Sequence, residues 1–175
     1  GSGDLAMGSL NRVVIGVDPG LTGAIAWVDV TGELVDVIDM PVMDGRVNCF
    51  ALSTAIAYDP DHGPMTGEYE YLPDWAVVEQ VHAMPKNGSV ASFKLGAAYG
   101  CVLGVIGAHC IRSEQVSPQT WKKHHGLIGK DKDAARAKAI DRWPSKAQLF
   151  ARKKDCGRAD AALIALWHIE RRAAS

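Results

Sequence analysis

Two short apolar runs in this chain each stop on an acid, and that pairing constrains the fold strongly. Val13-Val14-Ile15-Gly16-Val17 runs into Asp18, and Trp75-Ala76-Val77-Val78 runs into Glu79. Runs of this length and composition read as strands, and open α/β sheets gather their sites at strand carboxyl ends. Asp18 and Glu79 are therefore expected at strand ends that are neighbours in space. Two more acids, Asp155 and Asp160, flank the start of a helical pattern near the C-terminal end. Carboxylates packed together repel one another and persist mainly when something positive neutralises them. An all-oxygen donor set suits Mg²⁺ or Mn²⁺ rather than zinc. Asp18, Glu79, Asp155 and Asp160 are thus candidate metal ligands, and metal-dependent phosphodiester chemistry is the first expectation. Two ions about 4 Å apart would activate a water and stabilise the leaving oxygen.

The remaining pattern fits one α/β domain of mixed sheet and flanking helices. Strands are expected over 12–18, 22–30, 33–40, 75–79 and 109–116, the first three as a meander. Helical patterns cover 47–57, 89–108, 131–140 and 158–171, and a short helix opens at Ser117-Pro118, with Ser as N-cap and Pro first in the helix. Residues 58–74 read as an irregular loop and 145–156 as a basic loop. Residues 1–9 read as a remnant of cloning, which leaves 10–175 as the domain. No apolar run is expected to span a membrane, which takes roughly 20 residues.

Charge is split along the chain. Residues 1–80 hold 2 Lys and Arg against 13 Asp and Glu, whereas residues 81–175 hold 17 against 7. A basic face for a polyanion is expected, nucleic acid being the obvious one. Cys49, Cys101, Cys110 and Cys156 form no CxxC pair and no zinc spacing. Cys101 and Cys110 lie in apolar stretches and read as core thiols, so a reducing, intracellular setting is expected.

The motifs around the acids resemble those of the RuvC-type Holliday junction resolvases. Val14-Ile-Gly-Val-Asp-Pro-Gly20 with Thr22-Gly23-Ala24 is similar to that family's N-terminal motif. Val78-Glu79-Gln80-Val81, with Lys94-Leu95-Gly96 downstream, resembles its Glu-Gln-Val segment and the helix after it. Gln119-Thr-Trp-Lys-Lys123 through Lys132 is similar to its basic strip, and Arg158-Ala-Asp-Ala-Ala-Leu-Ile-Ala165 to its acidic helix. The order of the motifs over 12–170 is that of the family.

The resemblance implies an RNase H-like fold with a five-stranded mixed sheet, a homodimer, and two Mg²⁺ or Mn²⁺ ions per site. It also implies a hydrolase, a nuclease of DNA recombination and repair that nicks four-way junctions symmetrically. Asp18, Glu79 and Asp160 fall on the family's metal ligands. Bacterial RuvC has its fourth acid at the position of Gly157, so Asp155 is the substitute, in a pattern similar to the plastid and some phage resolvases. The expected setting is nevertheless bacterial or phage-infected cytoplasm rather than a plastid. Lys123 and Lys132 are candidates to stabilise charge on the scissile phosphate. The DNA track is expected to include His82, which stands where bacterial RuvC has a stacking Phe. Lys86, Asn87, Lys94, Lys122, Lys123, Lys130, Lys132, Arg152, Lys153, Lys154 and Arg158 complete it, mostly as phosphate contacts. His124 and His125 read as facing solvent or phosphate rather than as metal ligands. The helix at 89–108 offers a dimer seam through Phe93, Ala97, Gly100 and Gly104, or else packs on its own sheet. Alternatives are another RNase H-like nuclease acting on RNA–DNA hybrid or branched DNA, and a junction-binding module without catalysis.

Overall fold

Apolar alternation along β1 (Val13–Asp18) sends Val14 to one core and Ile15 and Val17 to another, so this strand is covered on both faces. The computed structural model describes residues 12–59, 63–64, 72–82 and 88–174. β1 pairs antiparallel with β2 (Ala24–Asp29), which pairs antiparallel with β3 (Leu34–Asp39). A two-residue turn at Asp44 and Gly45, both at positive φ, joins the short strands β4 (Val42–Met43) and β5 (Arg46–Val47). Such φ values are those of the primed hairpin turns.

Helix α1 (Cys49–Ile56) is capped by Asn48, and the small pair β6 (Tyr58–Asp59) and β7 (Gly63–Pro64) lies within the stretch expected to be irregular. β8 (Trp75–Glu79) then enters beside β1 in parallel. Helix α2 (Ser89–Ala108) leads to β9 (Arg112–Val116), parallel to β8. The five-stranded sheet has the order β3-β2-β1-β8-β9, the mixed sheet the sequence predicts. α3 (Pro118–His124) is capped by the Ser117 side chain, and α4 (Lys132–Arg142) by that of Asp131.

α5 (Cys156–Ala173) crosses the face of the sheet against β1 and β2. Its alanines permit a close approach, and Gly16 completes it. A Cβ on Gly16 would sit 2.0 Å from the carbonyl oxygen of Ala161 and 2.7 Å from the amide nitrogen of Ala165. The opposite face carries α1 and α2, through Leu52, Ile56, Val102 and Ile106.

Four expectations need correction. The stretch 145–156 is not an open loop: it forms tight turns over Pro144–Phe150 and Lys153–Asp155. Phe150 is fully buried there and stacks on Trp143, whose indole donates to the carbonyl of Gly32. Cys49 and Cys101 form a disulfide, because α1 and α2 pack side by side and bring their Cα atoms to 6.4 Å. Cys110 is exposed at the end of α2 rather than in the core. The cysteines therefore supply no argument for a reducing compartment. Lastly, α2 is apolar and long enough to cross a membrane by length and composition, with mean hydropathy 1.5. Its Ala98, Val102 and Ile106 are buried in the protein, while Phe93, Ala97, Gly100 and Gly104 lie on the solvent side.

Candidate active site

The parallel register of β1 and β8 pairs Val17 with Val78, so the next residues, Asp18 and Glu79, leave adjacent strands at the same end. The turn after Asp18 is short. Its amide at Gly20 donates to the Asp18 carboxylate at 3.4 Å, and Gly23 lies so close that a Cβ there would be 2.0 Å from the carbonyl oxygen of Asp18. The first turn of α5 lies against this turn. A Cβ on Gly157 would be 3.3 Å from Asp18 Oδ2 and 2.7 Å from the carbonyl oxygen of Thr22. An acid at position 157 would collide with that backbone. Asp160 stands one helical turn further along and completes an acidic trio.

The electrostatics of the trio follow from this crowding. Burial raises the pKa of Asp160, the charges of Asp18 and Glu79 add to it, and the result is about 7. Burial also raises Asp18, against the Gly20 amide and the charges of Lys122 and Lys132. Glu79 is raised by burial and by Asp18, with a hydrogen bond from Trp121 opposing. At Asp160 the neighbouring carboxylates thus repel more than the two nearby lysines relieve, a strain that a divalent cation would offset.

Asp155 does not join them. It is buried, and Arg152 donates to it from its backbone amide at 2.8 Å and from Nη2 at 2.8 Å. Arg158 Nε is 3.8 Å away. Burial works to raise its pKa, but the Arg152 hydrogen bonds and the two arginine charges outweigh it and hold it low. The carboxylate expected as a fourth metal ligand is thus paired with Arg152 and Arg158, apart from the other three. Asp155 precedes the helix, and its side chain is spent on closing the turn over Lys153–Asp155.

The cations divide similarly. Lys122 and Lys132 are the ones that act on Asp18 and Asp160. Lys123 is exposed, and Lys122 rather than Lys123 is the partner of Lys132 at the acids. Arg158, expected on the DNA track, forms a two-pronged ion pair with Asp39 at 2.6 and 3.0 Å, and Arg152 is held by Asp155. Lys94, Lys130, Lys153, Lys154 and His82 are exposed. Lys86 and Asn87 lie outside the described residues.

One positioning residue was not singled out in the sequence. Trp121 is fully buried, and its Nε1 donates to Glu79 Oε2 at 2.6 Å. Its place just before Lys122-Lys123, on a helix otherwise polar, was the available signal. A hydrogen bond to a charged group is worth about 1.5–3 kcal/mol. If the trio holds Mg²⁺, Trp121→Phe is therefore expected to raise the Mg²⁺ midpoint roughly tenfold or more, with the protein still folded. A titration of rate against Mg²⁺ checks this, and an unchanged midpoint would remove Trp121 from the site.

No family model matches the chain. Over 105 residues it is 32% identical to the "Holliday junction resolvase MOC1, chloroplastic" of Chlamydomonas reinhardtii. That match takes in 59% of this chain and 12% of the relative, so the chain spans about an eighth of that protein's length. Among solved structures, Thermus thermophilus RuvC superposes with TM-score 0.62 at 19% identity, covering 93% of this chain and 97% of that one. T. thermophilus RuvC in complex with Holliday junction substrate gives 0.59 at 17% identity, covering 94% and 97%. By fold this chain is RuvC-like, of the RNase H type, and by sequence it is similar to a chloroplast Holliday junction resolvase.

Proposed function

We propose that this chain is a structure-selective DNA endonuclease that resolves four-way junctions by paired nicks. The observation that carries the reading is the acidic trio of Asp18, Glu79 and Asp160, crowded enough to push Asp160 to about 7. The similarity to a Holliday junction resolvase supplies the substrate class.

Asp18, Glu79 and Asp160 would hold two divalent ions, and their all-oxygen donors fit Mg²⁺ or Mn²⁺. Bound there, the ions supply an activated water and offset charge on the leaving oxygen. The protein's own groups do the rest. Trp121 fixes the rotamer of Glu79. Lys122 and Lys132 put positive charge beside the acids, where a scissile phosphate would lie. The exposed Lys94, Lys123, Lys130, Lys153 and Lys154 would contact phosphates and orient the junction without reading sequence. His82, exposed three residues after Glu79, would meet a base or phosphate near the crossover.

Paired nicks need two active sites, which a symmetric dimer supplies. The solvent side of α2 suits that seam: Val90 is 68% and Phe93 74% exposed, and Gly100 and Gly104 have open space around them. A second copy laid on this face would cover apolar surface otherwise left in water.

The test compares a synthetic four-way junction with matched duplex and RNA–DNA hybrid in Mg²⁺. The expected result is symmetric cutting of the junction, with duplex and hybrid cut at least about a hundredfold more slowly, a margin of roughly 3 kcal/mol. Equal cutting of the hybrid would favour a different RNase H-like nuclease. Tight binding without cutting would favour a recognition module.

A further inference from the structure

A second cluster of ligating side chains lies away from the acidic trio. His124 ends α3, His125 follows it, and Glu170 sits near the end of α5. Each can present a ligand atom within 4.8 Å of the other two. His124 Nε2 is already 2.6 Å from Glu170 Oε2, and the two imidazole centroids are 4.8 Å apart.

His125 has the features of an oriented ligand. It is buried, and its Nε2 lies 2.7 Å from the carbonyl oxygen of Leu163. A carbonyl accepts only, so Nε2 carries the proton and the lone pair is left on Nδ1. Metal-binding histidines are commonly held this way, with the second nitrogen donating to a carbonyl that fixes the tautomer. Burial lowers the pKa of His125, which keeps the ring neutral and able to bind a cation. The three groups share a surface cavity of about 380 Å³ with Lys138, Asp141 and Arg142, so the acids Asp141 and Glu170 offset the two bases.

We infer that His124, His125 and Glu170 form a binding site for a divalent transition metal, with Zn²⁺ the best match to two imidazoles and one carboxylate. This donor set is of the kind zinc takes with one position left open, and it differs from the all-oxygen trio. A cation here ties α3 to α5. Those helices carry Trp121 and Lys122 on one side and Asp160 on the other, so the site braces the elements that hold the acidic trio.

The probe is Co²⁺, followed by visible absorption on the full chain carrying Asp18→Asn and Asp160→Asn, which takes the acidic trio out of the readout. One equivalent is expected to give d–d bands of a nitrogen and oxygen site without sulfur charge transfer, and Zn²⁺ is expected to displace it. His124→Asn with Glu170→Gln, both at exposed positions, is expected to weaken binding at least about tenfold. In the same pair of proteins, Zn²⁺ is expected to raise the melting temperature only where His124 and Glu170 are intact. Absence of those bands, sulfur charge transfer from a cysteine, or unchanged binding in the double variant would each overturn the inference.

Discussion

Asp18→Asn is expected to abolish junction cleavage, by about a thousandfold or more, while leaving junction affinity within roughly threefold. The magnitude is that of about 4 kcal/mol of lost charge stabilisation at the reacting phosphate. Asn keeps an oxygen for the Gly20 amide that now bonds Asp18, so the tight turn to Gly23 is preserved. It also removes one of the repelling charges at Asp160, so folding does not suffer. The lysines that would grip phosphate are untouched, which is why binding survives. A single-turnover cleavage assay with saturating protein measures the first effect, and gel-shift titration in Ca²⁺ or EDTA the second. A variant cutting within tenfold of the parent would sink the metal-site argument.

The second large effect concerns pH. Without divalent cation, stability is expected to fall as pH rises from about 4 to about 7, and saturating Mg²⁺ is expected to remove most of that fall. Asp160 has its pKa raised from 3.8 to about 7 in the folded protein. Between those values the folded state holds a proton that the unfolded chain has released. The unfolded state then binds fewer protons, so the free energy of unfolding declines with rising pH until the folded carboxyl has also ionised. Asp18 and Glu79 are raised too and act in the same direction. Asp39 and Asp155 are lowered and act oppositely only where pH falls through their own low range, whereas His125 and His168, lowered by burial, oppose the fall just below 6.5, so the difference between the parent and Asp160→Asn isolates the carboxyl. Asp160→Asn should accordingly stabilise the metal-free protein at pH 7.5 by about 2 kcal/mol, or roughly 4–8 °C in melting temperature. Thermal melts from pH 4.5 to 8, with and without Mg²⁺, check it. A profile in Asp160→Asn that matches the parent's would mean that Asp160 does not share a site with the other two carboxylates.

The strands of the sheet and two of the three acids were legible because strands announce themselves through local runs. Val13–Val17 and Trp75–Val78 each stop at an acid, and the parallel pairing of the two strands follows from α/β architecture. Asp160 was legible through its helix. Asp155 was not, because whether a pre-helix acid points into a site depends on how the loop closes. Here Arg152, three residues earlier, captures it. The pairing of Arg158 was hidden for the same reason, since its partner Asp39 lies 119 residues away in sequence. The Cys49–Cys101 bond was equally hidden: the packing of α1 along α2 creates the approach, and no spacing motif encodes it. Trp121 is core, yet its one polar atom does the positioning. Composition can identify a buried indole, but not what its nitrogen reaches.

The contact of α5 with Gly16 bears on how the site keeps its shape. Most helices rest on a sheet through side chains, whose rotamers let the helix shift by tenths of an ångström when the core is repacked. Here backbone meets backbone at position 16, with no methyl group between them. The height of α5 above β1 is therefore set by atoms that no side-chain substitution elsewhere can change. Asp160 rides on that helix and Asp18 ends that strand, so their spacing inherits a hard stop. Drift in the surrounding core should erode the stability of this protein well before it blurs the geometry of its acids.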